Sequence, residues 1–213
     1  MKDNFSDVEQ RVKRYWYTDG IGEIMGGGMS LLLGLYFSVQ QYFGDQSLVG
    51  VILQMSFVLI LIGSIFVVRR LVNLLKARVT YPRTGYVEYR IDNKKIRSRR
   101  IFTAAIAMIV AMVSVFIARK IDFIDSMVAV TGVLVAVVLV VKQGWSSGVG
   151  RFYVLSAVSL FLGIALSFSG LASGYSLGVF YGLMGLAFVI SGGLTLRRYL
   201  HENPMPAEDS NER

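Results

Sequence analysis

The chain has 213 residues, 54% of them hydrophobic, and carries 22 Lys and Arg against 14 Asp and Glu, for a net charge of +8. It has one histidine and no cysteine, which excludes disulfides, thiolate metal sites and cysteine nucleophiles. The apolar residues form six runs of about the length that crosses a bilayer as a helix. These runs are residues 21–43, 48–68, 101–118, 123–141, 152–171 and 175–196. We therefore predict an all-α integral membrane protein, a bundle of six transmembrane helices within residues 21–200.

A short amphipathic segment precedes the first run. Ser6 and Glu9 have the spacing of a capping box, and apolar residues recur on one helical face as far as the Tyr15-Trp16-Tyr17 cluster. Such aromatic rings favour the headgroup layer of a membrane. We predict that residues 1–20 form a cytoplasmic segment with a short interfacial helix, and a helix that docks a partner protein is the alternative.

The first run combines an acidic residue with a glycine-rich face. Gly22, Gly26, Ser30 and Gly34 recur every fourth residue, a pattern typical of helix packing in lipid, and the three adjacent glycines at 26–28 predict a kink or hinge. Glu23 is costly inside a membrane helix, so proton or cation coupling is one interpretation. A first-turn glutamate favoured by the helix dipole is the other. The candidate transport or ion site consists of Glu23, Gly26, Gly27, Gly28 and Gln54.

Residues 69–100, between the second and third runs, hold half of the Lys and Arg of the chain. The second helix is predicted to continue past the bilayer and to end before Pro82, with a turn over residues 80–85 and a small hairpin over residues 86–100. The aromatic and basic side chains of this cytoplasmic loop are predicted to bind anionic headgroups or a protein partner, and charge that only sets the orientation of the chain is the alternative. They are Tyr81, Arg83, Tyr86, Tyr89, Arg90, Lys94, Lys95, Arg97, Arg99 and Arg100.

Two short patterns occur twice in the chain. Ser30-Leu-Leu-Leu-Gly34 resembles Ser159-Leu-Phe-Leu-Gly163, and Arg69-Arg70 matches Arg197-Arg198, at offsets of 129 and 128 residues. A parallel repeat of helices 1–2 and 5–6, related by an axis along the membrane normal, would produce this echo. Chance similarity between segments rich in Leu, Gly and Ser is the alternative.

The distribution of basic residues predicts the orientation. Six alternating spans place 20 of the 22 Lys and Arg on one face and leave Arg119 and Lys120 on the other. Because basic residues are retained on the cytoplasmic side, we predict a multi-pass protein of the cell membrane with both termini cytoplasmic. The same charges are expected to meet anionic lipid headgroups rather than nucleic acid.

No sequence motif names a reaction. His201 lies in a polar tail, residues 201–213, that is predicted to be disordered, and no metal-ligand spacing or phosphate-binding glycine loop is visible. The sequence favours a non-enzymatic membrane protein without a cofactor that acts by binding lipid or recruiting a partner, and its small-residue helix faces also suit a homo-oligomer. A small-solute or ion transporter that uses Glu23 and the glycine-rich face of the first helix is the alternative.

Overall fold

The computed structural model describes residues 17–44, 46–84, 126–144 and 148–204. Over these ranges the protein is all-α, and most of the N-terminal segment, the predicted span 101–118 and loop residues 85–100 lie outside them. The elements are α1 (Ile21–Phe43), α2 (Leu48–Val79), the short α3 (Tyr81–Thr84), α4 (Ser126–Val138) with its continuation as a π-helix (Leu139–Gly144), α5 (Arg151–Ser167) and α6 (Ser173–Glu202).

Three helical stretches are long and apolar enough to cross a membrane: Ile21–Phe43, Leu48–Arg83 and Ser173–Glu202. By the length and composition of its helices, the chain is a multi-pass membrane protein. Two shorter apolar helices, Met127–Val141 and Arg151–Ser167, accompany them. The predicted first span coincides with α1, whereas α6 runs to Glu202, into the tail that the sequence predicts to be disordered.

Local signals explain where α2 begins and ends. The hydroxyl of Ser47 accepts the N–H of Gly50 at 2.9 Å, a side-chain cap on the first turn. The helix then continues to Val79, which confirms the prediction that it extends beyond the apolar run 48–68. Residues Tyr81–Thr84, within the predicted turn, form the short helix α3, and Pro82 is tolerated in its first turn because no intrahelical N–H is needed there.

Helices α1 and α6 pack antiparallel through glycines spaced seven residues apart. Gly20 faces Gly192, Gly27 faces Gly185 and Gly34 faces Gly178; a Cβ atom added at Gly27 would lie 2.8 Å from the carbonyl oxygen of Gly185, and one at Gly34 would lie 2.8 Å from that of Gly178. The hydroxyl of Ser30 donates to the carbonyl of Tyr181 at 2.9 Å. We call this contact the glycine seam.

The register of the glycine seam corrects the predicted one. Gly26 is exposed and a Cβ atom there would meet nothing within 4 Å, whereas Gly27 is buried against α6. A spacing of four drifts around a helix of 3.6 residues per turn, whereas seven residues are close to two full turns and stay on one face. The helix α1 is continuous through the three glycines, where the sequence predicts a kink or hinge.

Helices α4 and α5 form a second close pair. The hydroxyl of Ser159 donates to the carbonyl of Gly132 at 2.9 Å, and a Cβ atom at Gly132 would lie 2.7 Å from the Cα of Gly163. The two copies of the Ser-x-x-x-Gly pattern thus make the same kind of contact, α1 with α6 and α5 with α4. A parallel repeat of whole helix pairs stays a prediction.

Apolar side chains join these two pairs. Leu139, Phe152, Leu155 and Met184 form one buried cluster between the π-helix, α5 and α6. Stacked rings also connect α1 to α2 and to α6. Tyr36 stacks on Phe57 of α2 at 4.9 Å between ring centroids, and Phe37 stacks on Tyr181 of α6 at 5.6 Å. Helix α2 otherwise presents an apolar surface, as expected of a helix that faces lipid.

The glycine seam predicts that Gly27→Leu strongly destabilises the protein. A leucine there would part the α1 and α6 backbones, and overpacking of this kind costs about 3 kcal/mol of the free energy of unfolding. Gly26→Leu is the matched control, because its side chain would enter open space and leucine is the better helix former. Thermal unfolding of the purified protein in detergent measures both. Equal melting temperatures for the two variants would contradict the packing of Gly27, rather than Gly26, against α6.

Candidate functional site

A buried carboxylate joins the start of α1 to the end of α2. Asp19 is fully buried, and its Oδ2 lies 3.2 Å from the Nζ of Lys76. Thr80 donates its hydroxyl to the same oxygen at 3.0 Å, while the backbone N–H of Ile21 donates to Oδ1 at 3.1 Å. Each oxygen of this carboxylate therefore has a donor, as a buried charge requires.

Glu23, one helical turn further along, joins α1 to α5 and α6. Its Oε1 lies 2.6 Å from the guanidinium of Arg151, the first residue of α5, and its Oε2 accepts the hydroxyl of Ser191 at 2.8 Å. Arg151 also donates to the backbone carbonyl of Tyr17. The side chain of Glu23 is 3% exposed, so its charge depends on these partners rather than on water.

We call these six residues, Asp19, Glu23, Lys76, Thr80, Arg151 and Ser191, the polar layer. It lies at one end of the bundle, where α1 and α5 begin and where α2 and α6 approach their ends. Two carboxylates meet two cations there, so the charges balance within the layer. Ion pairs that are buried in this way cost desolvation, which their mutual attraction and their further hydrogen bonds must offset.

Aromatic rings cover the polar layer on the side of α5. The ring of Tyr17 meets Phe152 edge to face at 5.2 Å, and the guanidinium of Arg151 lies 5.6 Å from the centroid of Phe152. Burial raises the pKa of the Tyr17 phenol, and the nearby Glu23 carboxylate raises it further. The Tyr17 side chain is therefore neutral at physiological pH and forms an uncharged wall beside the ion pair.

The structure does not gather the predicted transport site. Of the glycines, Gly27 packs against Gly185 and Val189, whereas Gly26 and Gly28 have open space where a Cβ would lie. Gln54 is exposed, and it lies 22 residues along α2 from Lys76, a distance of about 33 Å on a straight helix. Glu23 thus meets Arg151 and Ser191 instead of the glycine-bounded cavity and the glutamine that the sequence indicates.

Two residues of the predicted basic binding surface are described, Tyr81 and Arg83. Tyr81 is half-buried, and Arg83 donates from its guanidinium to the carbonyl of Asn203 at 2.8 Å. Arg83 therefore caps the end of α6, where carbonyls lack helical partners. The other predicted lipid-contacting residues lie outside the described ranges: Tyr86, Tyr89, Arg90, Lys94, Lys95, Arg97, Arg99 and Arg100.

Sequence reasoning missed the partners of the two carboxylates. It counted Lys76 and Arg151 among the 20 basic residues that set orientation. The structure buries Lys76 and leaves Leu71 and Leu74 exposed, because Asp19 provides a counter-charge on the inner side and lipid accepts leucine on the outer side. A buried glutamate needs a cation, and that requirement is the one signal that could have led to Arg151.

Comparison of the chain with protein-family models, with curated proteins and with solved structures finds no match. Within the described residues, no group of three or more His, Cys, Asp or Glu side chains could hold a metal ion. The arrangement of the polar layer therefore has to be interpreted from its own geometry. That geometry is a set of satisfied, charge-balanced contacts that fix four helices to one another.

The polar layer predicts that Arg151→Gln destabilises the protein by about 3–5 kcal/mol, because Glu23 would keep a buried charge without a cation. The double variant Glu23→Gln/Arg151→Gln removes both charges and should lose markedly less stability than Arg151→Gln alone. Unfolding in mixed detergent measures each variant. Arg198→Gln is the control, since its ion pair with Glu202 is exposed and should change stability little. A double variant that is no more stable than Arg151→Gln would contradict an energetic coupling between Glu23 and Arg151.

Proposed function

We propose that the protein is a non-enzymatic, six-span protein of the cell membrane that acts by binding, as a lipid-interacting or partner-recruiting component. Three spans follow from the length of α1, α2 and α6. The paths of the described helices support a crossing between α2 and α4. Helix α2 approaches its end at the polar layer, whereas α4 runs antiparallel to α5 and so begins at the opposite end. The intervening chain contains the apolar run 101–118.

The grouping of helix ends supports the proposed orientation. The start of α1, the end of α2, the start of α5 and the last turns of α6 lie together around the polar layer. The basic residues that flank these helices, Arg69, Arg70, Arg197 and Arg198 among them, belong to the strongly basic side of the chain. The positive-inside rule then makes this end cytoplasmic, with both termini.

Impermeant thiol labelling tests this topology, because the chain has no cysteine of its own. We expect Gln46→Cys and Ser173→Cys, both at exposed positions between helices or at a helix start, to be labelled in intact cells. Asn93→Cys in the basic loop should be labelled only after the membrane is opened. Labelling of Asn93→Cys in intact cells would overturn the orientation.

The observation that carries the binding function is that the Glu23 carboxylate is already fully paired within the protein. Both of its oxygens are engaged, by Arg151 and by Ser191, and the adjacent Gly27 is packed against α6. A coupling carboxylate needs access to water and a path for its ion, whereas a structural one needs fixed partners. With Glu23, Lys76 and Arg83 assigned to the framework, the basic residues from Arg90 to Arg100 are the candidates for ligand binding. Their ligands in this proposal are anionic headgroups or an acidic face of a partner.

A small-solute or ion transporter is the second candidate, favoured by one observation. Glu23 is an ionisable residue inside a helix that is long enough to span, and such residues are functional by default. In this alternative Arg151 would exchange partners so that Glu23 could bind a proton or a cation. The two candidates differ in whether the Glu23 and Arg151 pair opens.

The binding function predicts that the basic loop retains anionic lipid. Replacement of Lys94, Lys95, Arg97, Arg99 and Arg100 by Gln in the full chain, after its insertion has been checked, should reduce the anionic lipid that copurifies. Retention by the unchanged protein should also fall as salt shortens the Debye length from about 10 Å at 0.1 M to about 3 Å at 1 M. Arg119→Gln/Lys120→Gln, on the opposite face, is the control.

Two outcomes would contradict the binding function. One is equal lipid retention by the loop variant and by the unchanged protein, with no acidic partner lost. The other is a flux of protons or common cations into reconstituted vesicles that exceeds the flux in empty liposomes and is abolished by Glu23→Gln. That result would transfer the function to the transporter alternative.

A further inference from the structure

One face of α6 is apolar and exposed along the length of the helix. Its exposed large side chains recur at intervals of three or four residues, which places them on a single stripe. The stripe consists of Tyr175, Val179, Leu183, Leu186, Ile190 and Leu194. The opposite face of the helix carries the glycine seam. The stripe is therefore a continuous apolar track on the outside of the α1 and α6 pair.

The stripe ends in a cationic groove. The next residues on the same face are Arg197, Arg198 and His201, all exposed, and with Leu194 and Leu200 they line a surface groove of about 600 Å³. The groove is open, and all five of its lining residues belong to α6, so it is a site on the surface of one helix. An apolar track that leads directly into a pair of arginines matches a molecule that has an acyl chain and an anionic head.

The arginines of the groove keep donors available. Arg198 uses its Nε to bind Glu202 at 2.7 Å, which leaves its terminal nitrogens for another acceptor. For Arg197 the residues that the structure describes include no hydrogen-bond or ion-pair partner. Arg83, a further cation at the end of α6, is occupied at the carbonyl of Asn203. Among the described residues, Glu202 is the one carboxylate paired with these arginines, so the two arginines exceed it by one positive charge.

We propose that this groove binds one anionic phospholipid, with its phosphate between Arg197 and Arg198 and an acyl chain along Leu194 and Ile190. The twelve residues from Leu183 to Leu194 extend over about 16 Å, comparable with one leaflet of the hydrocarbon core. Arginine suits the phosphate because its planar fork presents several donors. The proposal relies on the membrane embedding proposed above and is independent of the basic loop, so each can fail separately.

The test measures the affinity of the purified full-length protein for its first phosphatidylglycerol by native mass spectrometry in a nonionic detergent. Arg197→Gln/Arg198→Gln should weaken this affinity by about 25-fold, roughly fivefold for each basic residue removed near a headgroup. Arg69→Gln/Arg70→Gln is the matched control, because it removes an adjacent and exposed arginine pair of α2 that does not line this groove. Leu194→Asn should weaken binding severalfold through the acyl chain. Melting temperatures confirm that each variant folds.

Each alternative outcome is decisive. Equal losses of phosphatidylglycerol affinity in the two arginine variants would show that surface charge alone attracts the lipid. That result would overturn the binding site in the groove. Displacement of the lipid by an equal concentration of inorganic phosphate, or unchanged lipid binding in Leu194→Asn, would show that the groove binds a soluble phosphate. Either result would overturn the proposal that its ligand is a phospholipid. Equal affinity for phosphatidylglycerol and phosphatidylcholine would remove the role of the charge. Loss of binding in the groove variant, with the five loop residues intact, supports the proposal whatever the fate of the loop.

Discussion

The close approach of the α1 and α6 backbones determines where the charged groups of this protein lie. In lipid there is no hydrophobic drive between helices, so contact depends on dispersion and on small residues that let backbones meet. Gly20, Gly27 and Gly34 provide that contact at every second turn. The positions between them on the same face are Glu23 and Ser30, and both use the contact to reach α6, at Ser191 and at the Tyr181 carbonyl. The burial of Glu23 is thus a consequence of helix packing, and Arg151 is what makes it tolerable.

The described helices could largely be predicted from the sequence, because each depends on local composition, whereas the six spans stay a prediction. Apolar runs place α1 within the same residues as the structure does, and the amphipathic continuation of α2 is visible in the sequence. The register of the glycine seam could not be predicted in the same way. Four-residue and seven-residue spacings coexist in a run that contains Gly22, Gly26, Gly27 and Gly34, and only the partner helix decides between Gly26 and Gly27.

The two buried ion pairs could not be predicted from the sequence either, for a different reason. Lys76 and Arg151 are distant in the chain from Asp19 and Glu23, and a salt bridge between distant residues leaves no periodicity in the sequence. Both cations also flank apolar runs, where basic residues are expected for orientation alone. Gln54 is the converse case. A polar residue in a membrane helix suggests a cavity, but here it lies far from Glu23 on an exposed face of α2.

Arg83 connects the framework to the surface that is proposed to bind. By donating to the Asn203 carbonyl it holds α3 against the end of α6, so the basic loop leaves the bundle at a defined point. The cationic groove of Arg197 and Arg198 lies on the same last turns of α6. Helix α3 and the cationic groove therefore lie at the same end of the bundle.

The pairing of α1 with α6 also bears on how the protein is made. Ser30 and the Tyr181 carbonyl that it contacts are 151 residues apart in the chain. At synthesis rates of about 5–20 residues per second, α1 exists for about 8–30 s before its partner has been translated. Throughout that interval the glycine seam lacks its α6 side, and Glu23 lacks Arg151 and Ser191 until these residues are translated, 128 and 168 residues after it. The first helix of this bundle therefore completes its packing last, when α6 arrives. Its biogenesis depends on what stabilises a glycine-rich, acidic helix in the membrane until then.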